Sequence, residues 1–172
     1  IRVPQIEEHH DVIAQDADVL LDHGAIERLY TATRLVPDDV CVICGWLWDE
    51  IAGRPIIGVR CYRAAIAKQF PFRDVPGSDS DQSARMYAAG HRPVCWPEEA
   101  KTREECMGEH VHDDPSRTFR HWRELVMKKR KDGRRDWIYD VLPRLRHNAL
   151  CSGEVIREAA WYGALVGLFA PL

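Results

Sequence analysis

The sequence contains no long hydrophobic run. Its longest uninterrupted apolar stretch, Ala159 to Leu172, is 14 residues and includes two glycines and Pro171. A membrane-spanning helix needs roughly 18 such residues, so none is expected, and the chain reads as soluble or peripheral. A dominant charge is missing as well. Lys and Arg number 24 against 27 Asp and Glu, a net charge of -3, which argues against a surface built throughout for nucleic acid. Cysteine is sparse for a disulfide scaffold: there are six, and only Cys41 and Cys44 are close in sequence. Free thiols in a reducing compartment are the expectation. There is no Gly-x-Ser-x-Gly and no phosphate-cradling glycine loop. With no constellation that carries chemistry, the reading is of a non-enzyme with no catalytic residues, no metal and no cofactor.

What is present suits a packed core. The chain is 172 residues long and 45% hydrophobic, enough for one domain with a substantial appendage. Ile1 in first position reads as a processed or trimmed chain. Gly and Pro divide the sequence into blocks with helical spacing of apolar residues. The periodicity predicts helices over 7–21, 25–35 ending at Pro37, 38–52 capped by Asp38 or Asp39, and 55–69. It predicts others over 78–90, from Pro97-Glu98-Glu99, over 115–130, over 137–147 kinked or broken at Pro143, and over 152–169. The fold class expected is all-α, with stacked antiparallel helix pairs in a superhelical, repeat-like array. Residues 1–106 would form the helical-hairpin domain and 107–172 a helical extension. Gly58, inside the presumed helix 55–69, would mark a close crossing.

Cys41-Val-Ile-Cys44 lacks the second close pair that a tetrahedral zinc or iron site needs; core packing is the preferred reading. Glu7-x-x-His10 and Glu109-x-x-His112 have the Glu-x-x-His spacing of di-iron bundles, but their polar flanks favour a solvated face. The concentrated basic segment is Lys128-Lys-Arg-Lys131 with Arg134-Arg135, flanked by Trp122 and Trp137. Nucleic acid, an anionic lipid surface or an acidic protein face would each suit it. The last helix is apolar almost all round, so it must be enclosed. Trp161 and Phe169 would anchor it, and Gly163 and Gly167 would allow close approach of another helix. The interface candidates are therefore Trp122, Trp137, Trp161, Phe169, Lys128, Arg130 and Arg134.

Residues 25–100 resemble the cytochrome c oxidase subunit Va family, called subunit VI in fungi. The likeness lies in Ile26 and Leu29 before Leu35-Val36-Pro37-Asp38, in Val59-Arg60, and in Gly90 followed by Pro97-Glu98-Glu99. It covers under half the chain, and residues 107–172 have no family counterpart. The resemblance implies a non-catalytic accessory subunit of a mitochondrial respiratory complex, peripheral on the matrix side of the inner membrane. Its partners would be other subunits of that membrane complex. The alternative is a helical-repeat RNA-binding or mitochondrial ribosome protein, with nucleic acid the lesser expectation; a small helical metalloenzyme comes third.

Overall fold

The computed structural model describes residues 11–16, 18–75 and 78–171. The fold is mixed α/β, 48% helical and 22% strand, which overturns the all-α expectation. The chain divides into two compact units, residues 1–48 with 55–110, and residues 49–54 with 111–172.

The first unit is built on a curled six-strand sheet, a half-barrel. Its strands are β1 (Asp11–Ala14), β2 (Val19–Leu21), β3 (Val40–Asp49), β4 (Arg54–Arg63), β5 (Arg92–Trp96) and β6 (Gly108–His110). The strand order is β1-β4-β3-β6-β2, with β5 pairing parallel to β3. β1 pairs antiparallel with β4, and β2 with β6. Helices α1 (Ala25–Thr33), α2 (Ala64–Ala67) and α3 (Ser78–Ala88) cover the sheet. Successive strand residues point to opposite faces, and both faces are apolar here. Ile43 and Cys61 pack with Leu29 and Ala32 of α1. Their neighbours Cys44 and Tyr62 pack with Ile66 of α2 and Met86 of α3.

That double burial explains the misreading of β3. Val-Cys-Val-Ile-Cys-Gly-Trp-Leu-Trp is apolar at nearly every position, so no alternation is visible, and any period can be fitted to it. Its β-branched and aromatic content is the strand signal. Asp38 and Asp39 cap no helix; they pair with Arg63 at 2.9 Å and Arg92 at 2.8 Å. The predicted helix 55–69 is β4 followed by the single turn of α2. The predicted helix 7–21 is strands β1 and β2 where it is described, and its first residues, with Glu7, His9 and His10, lie outside the described residues. After Pro97-Glu98-Glu99 comes only a 3-10 turn, Arg103–Glu105. The helix pair expected over 38–52 and 55–69 is thus largely a strand hairpin.

Gly58 does mark a close approach, but on a strand: a Cβ there would stand 1.9 Å from Leu47 Cδ1. Cys41 and Cys44 are buried free thiols. Glu109 lies on β6 rather than on a helix, and Arg103 holds it at 2.8 Å. Glu109 and His112 therefore share no helix face, and the solvated face preferred for them does not hold at His112, whose side chain is 8% exposed.

The second unit is three helices: α4 (Pro115–Lys131), α5 (Arg135–Ser152) and α6 (Val155–Phe169). Asp114 caps α4 by accepting the Ser116 and Arg117 N–H groups, with Pro115 in the first turn. Pro143 does not break α5, which runs on through it. The core joins Trp122, Val126, Ile138, Val141, Leu145, Ala160 and Ala164 with Ile51 and Ala52 from the segment 49–54. Asn148 donates to the Ile51 carbonyl at 2.8 Å, and Arg54 pairs with Asp140 at 2.9 Å, which pins that segment to α5. No helix among the described residues is long and apolar enough to cross a membrane.

Candidate functional site

The α4–α5 corner begins with a backbone device. Gly133, at φ +71°, follows the C-cap Asp132. The Arg134 N–H reaches the Lys129 carbonyl at 2.9 Å, and the Gly133 N–H reaches that of Arg130 at 3.1 Å. This is a Schellman turn, and its left-handed residue favours glycine. It ends α4 abruptly and starts α5 within three residues, so eight consecutive positions, 128–135, put six cations and one acid at one corner.

The cations divide by what the helix dipoles do to them. Lys128, Lys129, Arg130 and Lys131 occupy the last turn of α4, the negative end of its dipole, where cations are stabilised. Arg134 and Arg135 sit at the cap and first residue of α5. That is the positive end, where a cation is disfavoured. Arg134 has Asp136 at 3.9 Å. Among the described residues no acid stands within 4.0 Å of Lys128, Lys131 or Arg135. Lys129 lies over the Trp137 ring, 5.5 Å from its centroid. Partial burial, then the charges of Arg134 and Lys128, pull its ammonium below the usual lysine range. Like charges are crowded at this corner.

The other sequence candidates fall into different roles. Arg130 donates to the Gly167 and Ala170 carbonyls at 2.9 and 2.7 Å, capping α6. Trp122 is 2% exposed and stacks on Trp137, with centroids 6.3 Å apart. Its indole N–H has no partner among the described residues. Trp161 is half-buried on α6, and Phe169 is exposed near its end. Gly163 and Gly167 lie against the backbone of α4 at Phe119 and Arg123. The tail helix is docked on its own unit, apart from an exposed side bearing Tyr162, Val166 and Phe169.

Two features had no clear sequence signal. Asp49 and His112, 63 residues apart, form a buried pair at 3.1 Å. The second Asp49 oxygen accepts the Ala52 N–H at 2.8 Å. The other is a groove of about 500 Å³ lined by Tyr139, Leu142, Pro143, Arg146, His147, Leu150 and Trp161. Reading 135–152 as one unbroken helix would have exposed it, because those α5 positions recur every three or four residues opposite the core face. In the first unit a more polar cavity of about 370 Å³ lies beside Arg60, Tyr62 and Asp79. Arg60 is already paired with Asp79 at 3.1 Å there.

Set against known proteins, the chain matches no family model, no curated protein and no solved structure.

Proposed function

We propose that the helical unit binds nucleic acid through the phosphate backbone, with the α4–α5 corner as the contact surface. The observation that carries this reading is the pair Arg134 and Arg135 at the positive end of α5, beside Lys128 and Lys131. The α4 dipole accounts for the lysines, and Asp136 in the first turn of α5 stands 3.9 Å from Arg134; among the described residues no acid stands within 4.0 Å of Arg135. A cation cluster compensated only in part, by Asp132 and Asp136, costs stability through self-repulsion, and a row of phosphates relieves it. Residues 49–54 and 111–172 together carry 13 Lys and Arg against 10 Asp and Glu, so the excess is local to this unit.

Backbone contact is favoured over base reading. The exposed groups at the corner are mostly ammonium and guanidinium ions, with the Asp132 and Asp136 carboxylates among them. Trp137, the aromatic beside them, is half-buried beneath Lys129 and offers no open stacking platform of the kind single-strand binders use. Phosphate contacts set affinity and carry no direct sequence information.

Fluorescence anisotropy with a labelled oligonucleotide, titrated over a range of salt concentrations, tests this. Three or four phosphate contacts give a log–log salt slope of about -3 on duplex DNA. Lys128→Ala, Lys131→Ala and Arg135→Ala should each weaken binding on all sequences alike and flatten that slope by about one. Binding that is absent near 50 mM salt, or unaffected by these changes, overturns the reading.

A further inference from the structure

Helix α5 is apolar on two sides. One side, with Ile138, Val141, Leu145 and Ala149, is in the core. The other carries Tyr139, Leu142, Pro143 and Leu150, which with Trp161 of α6 form the open groove. Tyr139 and Leu150 are each 74% exposed. Leu142 and Trp161 pack partly against that core, but a helix needs only one apolar stripe to fold against its neighbours, and the exposed Tyr139 and Leu150 are unexplained by the unit's own packing. Contiguous exposed apolar surface rimmed by polar groups is the mark of an interaction site.

The groove's form and charge select the occupant. Lining positions 139, 142, 143, 146, 147 and 150 span three helical turns, about 16 Å. They make ridges at the spacing that interdigitates with another helix. The basic side chains on the wall are Arg146 and His147, and among the described residues no Asp or Glu lines it. The nearest acid on that helix, Asp140, is held by Arg54 and Arg144, each at 2.9 Å. A second copy of this chain seated groove to groove would bring Arg146 and His147 towards the same residues, and like charges opposed across an interface are costly. A phosphate backbone has nothing to place against Leu142, Leu150 and Trp161.

We infer that this groove receives an amphipathic helix of a partner protein, with an apolar stripe for Leu142, Leu150 and Trp161 and acidic flanks for Arg146 and His147. The groove residues are distinct from those of the α4–α5 corner, so the inference stands apart from nucleic-acid binding.

The test uses the full chain and a fluorescein-labelled 18-residue helical peptide, with Leu and Trp at i, i+3, i+4 and i+7 and Asp or Glu flanking them. A charge-reversed peptide and a proline-interrupted one serve as comparisons. Micromolar binding of the acidic peptide is expected, with about 10-fold weaker binding of both others, a difference of about 1.4 kcal/mol. Leu150→Asp and Arg146→Glu should each weaken the acidic peptide about 10-fold, and Arg146→Glu should improve the charge-reversed one. Both positions are exposed, and circular dichroism verifies that the variants fold. No binding at about 100 μM peptide overturns the inference, as does equal binding of the interrupted peptide. So does weakening by Lys128→Ala and Arg135→Ala but not by Leu150→Asp. Sedimentation showing a dimer that Leu150→Asp abolishes would assign the groove to a second copy, and displacement of the peptide by an oligonucleotide at the groove would assign it to nucleic acid; both overturn it.

Discussion

Gly163 lies directly against Phe119: a Cβ on the glycine would stand 2.2 Å from the Phe119 carbonyl oxygen. One turn further, Gly167 repeats the relationship with Arg123 at 2.4 Å. Positions four apart on α6 match positions four apart on α4 in the same chain direction, so the two helices run parallel and touch backbone to backbone. Small residues at this spacing permit such an approach, and the Cα–H groups can then meet carbonyl oxygens.

Gly163→Ala should therefore destabilise the protein by about 1–3 kcal/mol, since a backbone carbonyl cannot swing aside as a side-chain tip can. Urea unfolding measures it. An unchanged midpoint would mean that the helices stand further apart.

Arg130 and Lys128 are two residues apart in one basic run, yet their losses should separate. Arg130→Ala removes two charge-assisted bonds to the end of α6 and should cost about 1–2 kcal/mol of stability, with the oligonucleotide salt slope nearly intact. Lys128→Ala should do the reverse. Thermal unfolding and anisotropy on the same two variants decide the matter.

Breaking the Asp49–His112 pair should be expensive. Both side chains are buried, at 4% and 8% exposure, and removing one partner costs the other a hydrogen bond that water cannot readily replace. Asp49→Ala should cost about 1–3 kcal/mol, the cost of a lost buried hydrogen-bond partner. The double variant with His112→Ala should cost less than the sum of the two singles, by about 1 kcal/mol or more.

Stability should fall in alkali. Burial, then the neighbouring Cys95 thiol, pushes Cys44 from the usual 9.0 up to about 11. Burial, then Asp11, pushes Cys61 up to about 12. In the unfolded chain both thiols lose their protons near pH 9, while the folded protein still holds them. The stabilisation is thus complete below pH 9 and is lost as pH rises through 11 to 12. Cys44 alone accounts for up to roughly 3 kcal/mol. Denaturation midpoints at pH 8 and pH 10.5 should diverge in the natural chain and converge partly in Cys44→Ala.

The sequence displayed its helices where one face is wet. α1, α3, α4 and α6 lie close to their predicted spans; in the first three, polar residues opposite the core make a 3.6-residue period visible, while α6, apolar almost all round, follows Gly153 and stops before Pro171. It concealed β3, which is buried on both faces of the sheet, and β4, whose Val59, Cys61 and Tyr62 are buried while Ile57 is exposed. Pro143 misled in the opposite sense: the helix runs through it, and the missing N–H lies beside an open groove. The basic run 128–135 was plain as charge. Its division into an α6 cap at Arg130 and a free corner at Lys128, Lys131 and Arg135 depends on where α6 ends, some 40 residues later. Asp49 and His112 could not have been joined without the fold, since no local spacing links residues 63 positions apart.

The three-helix unit takes Ile51 and Ala52 into its core from a short segment some 60 residues upstream of α4. Its closure is therefore a long-range event, with a loop-closing entropy that a contiguous bundle of the same helices would avoid. A ribosome would release the plug first and the socket afterwards, so α4, α5 and α6 condense on a piece already made. The bundle is consequently not excisable: a fragment of residues 111–172 would lack Ile51, Ala52 and the carbonyl that holds Asn148. Grafting those helices elsewhere means carrying the 49–54 segment with them.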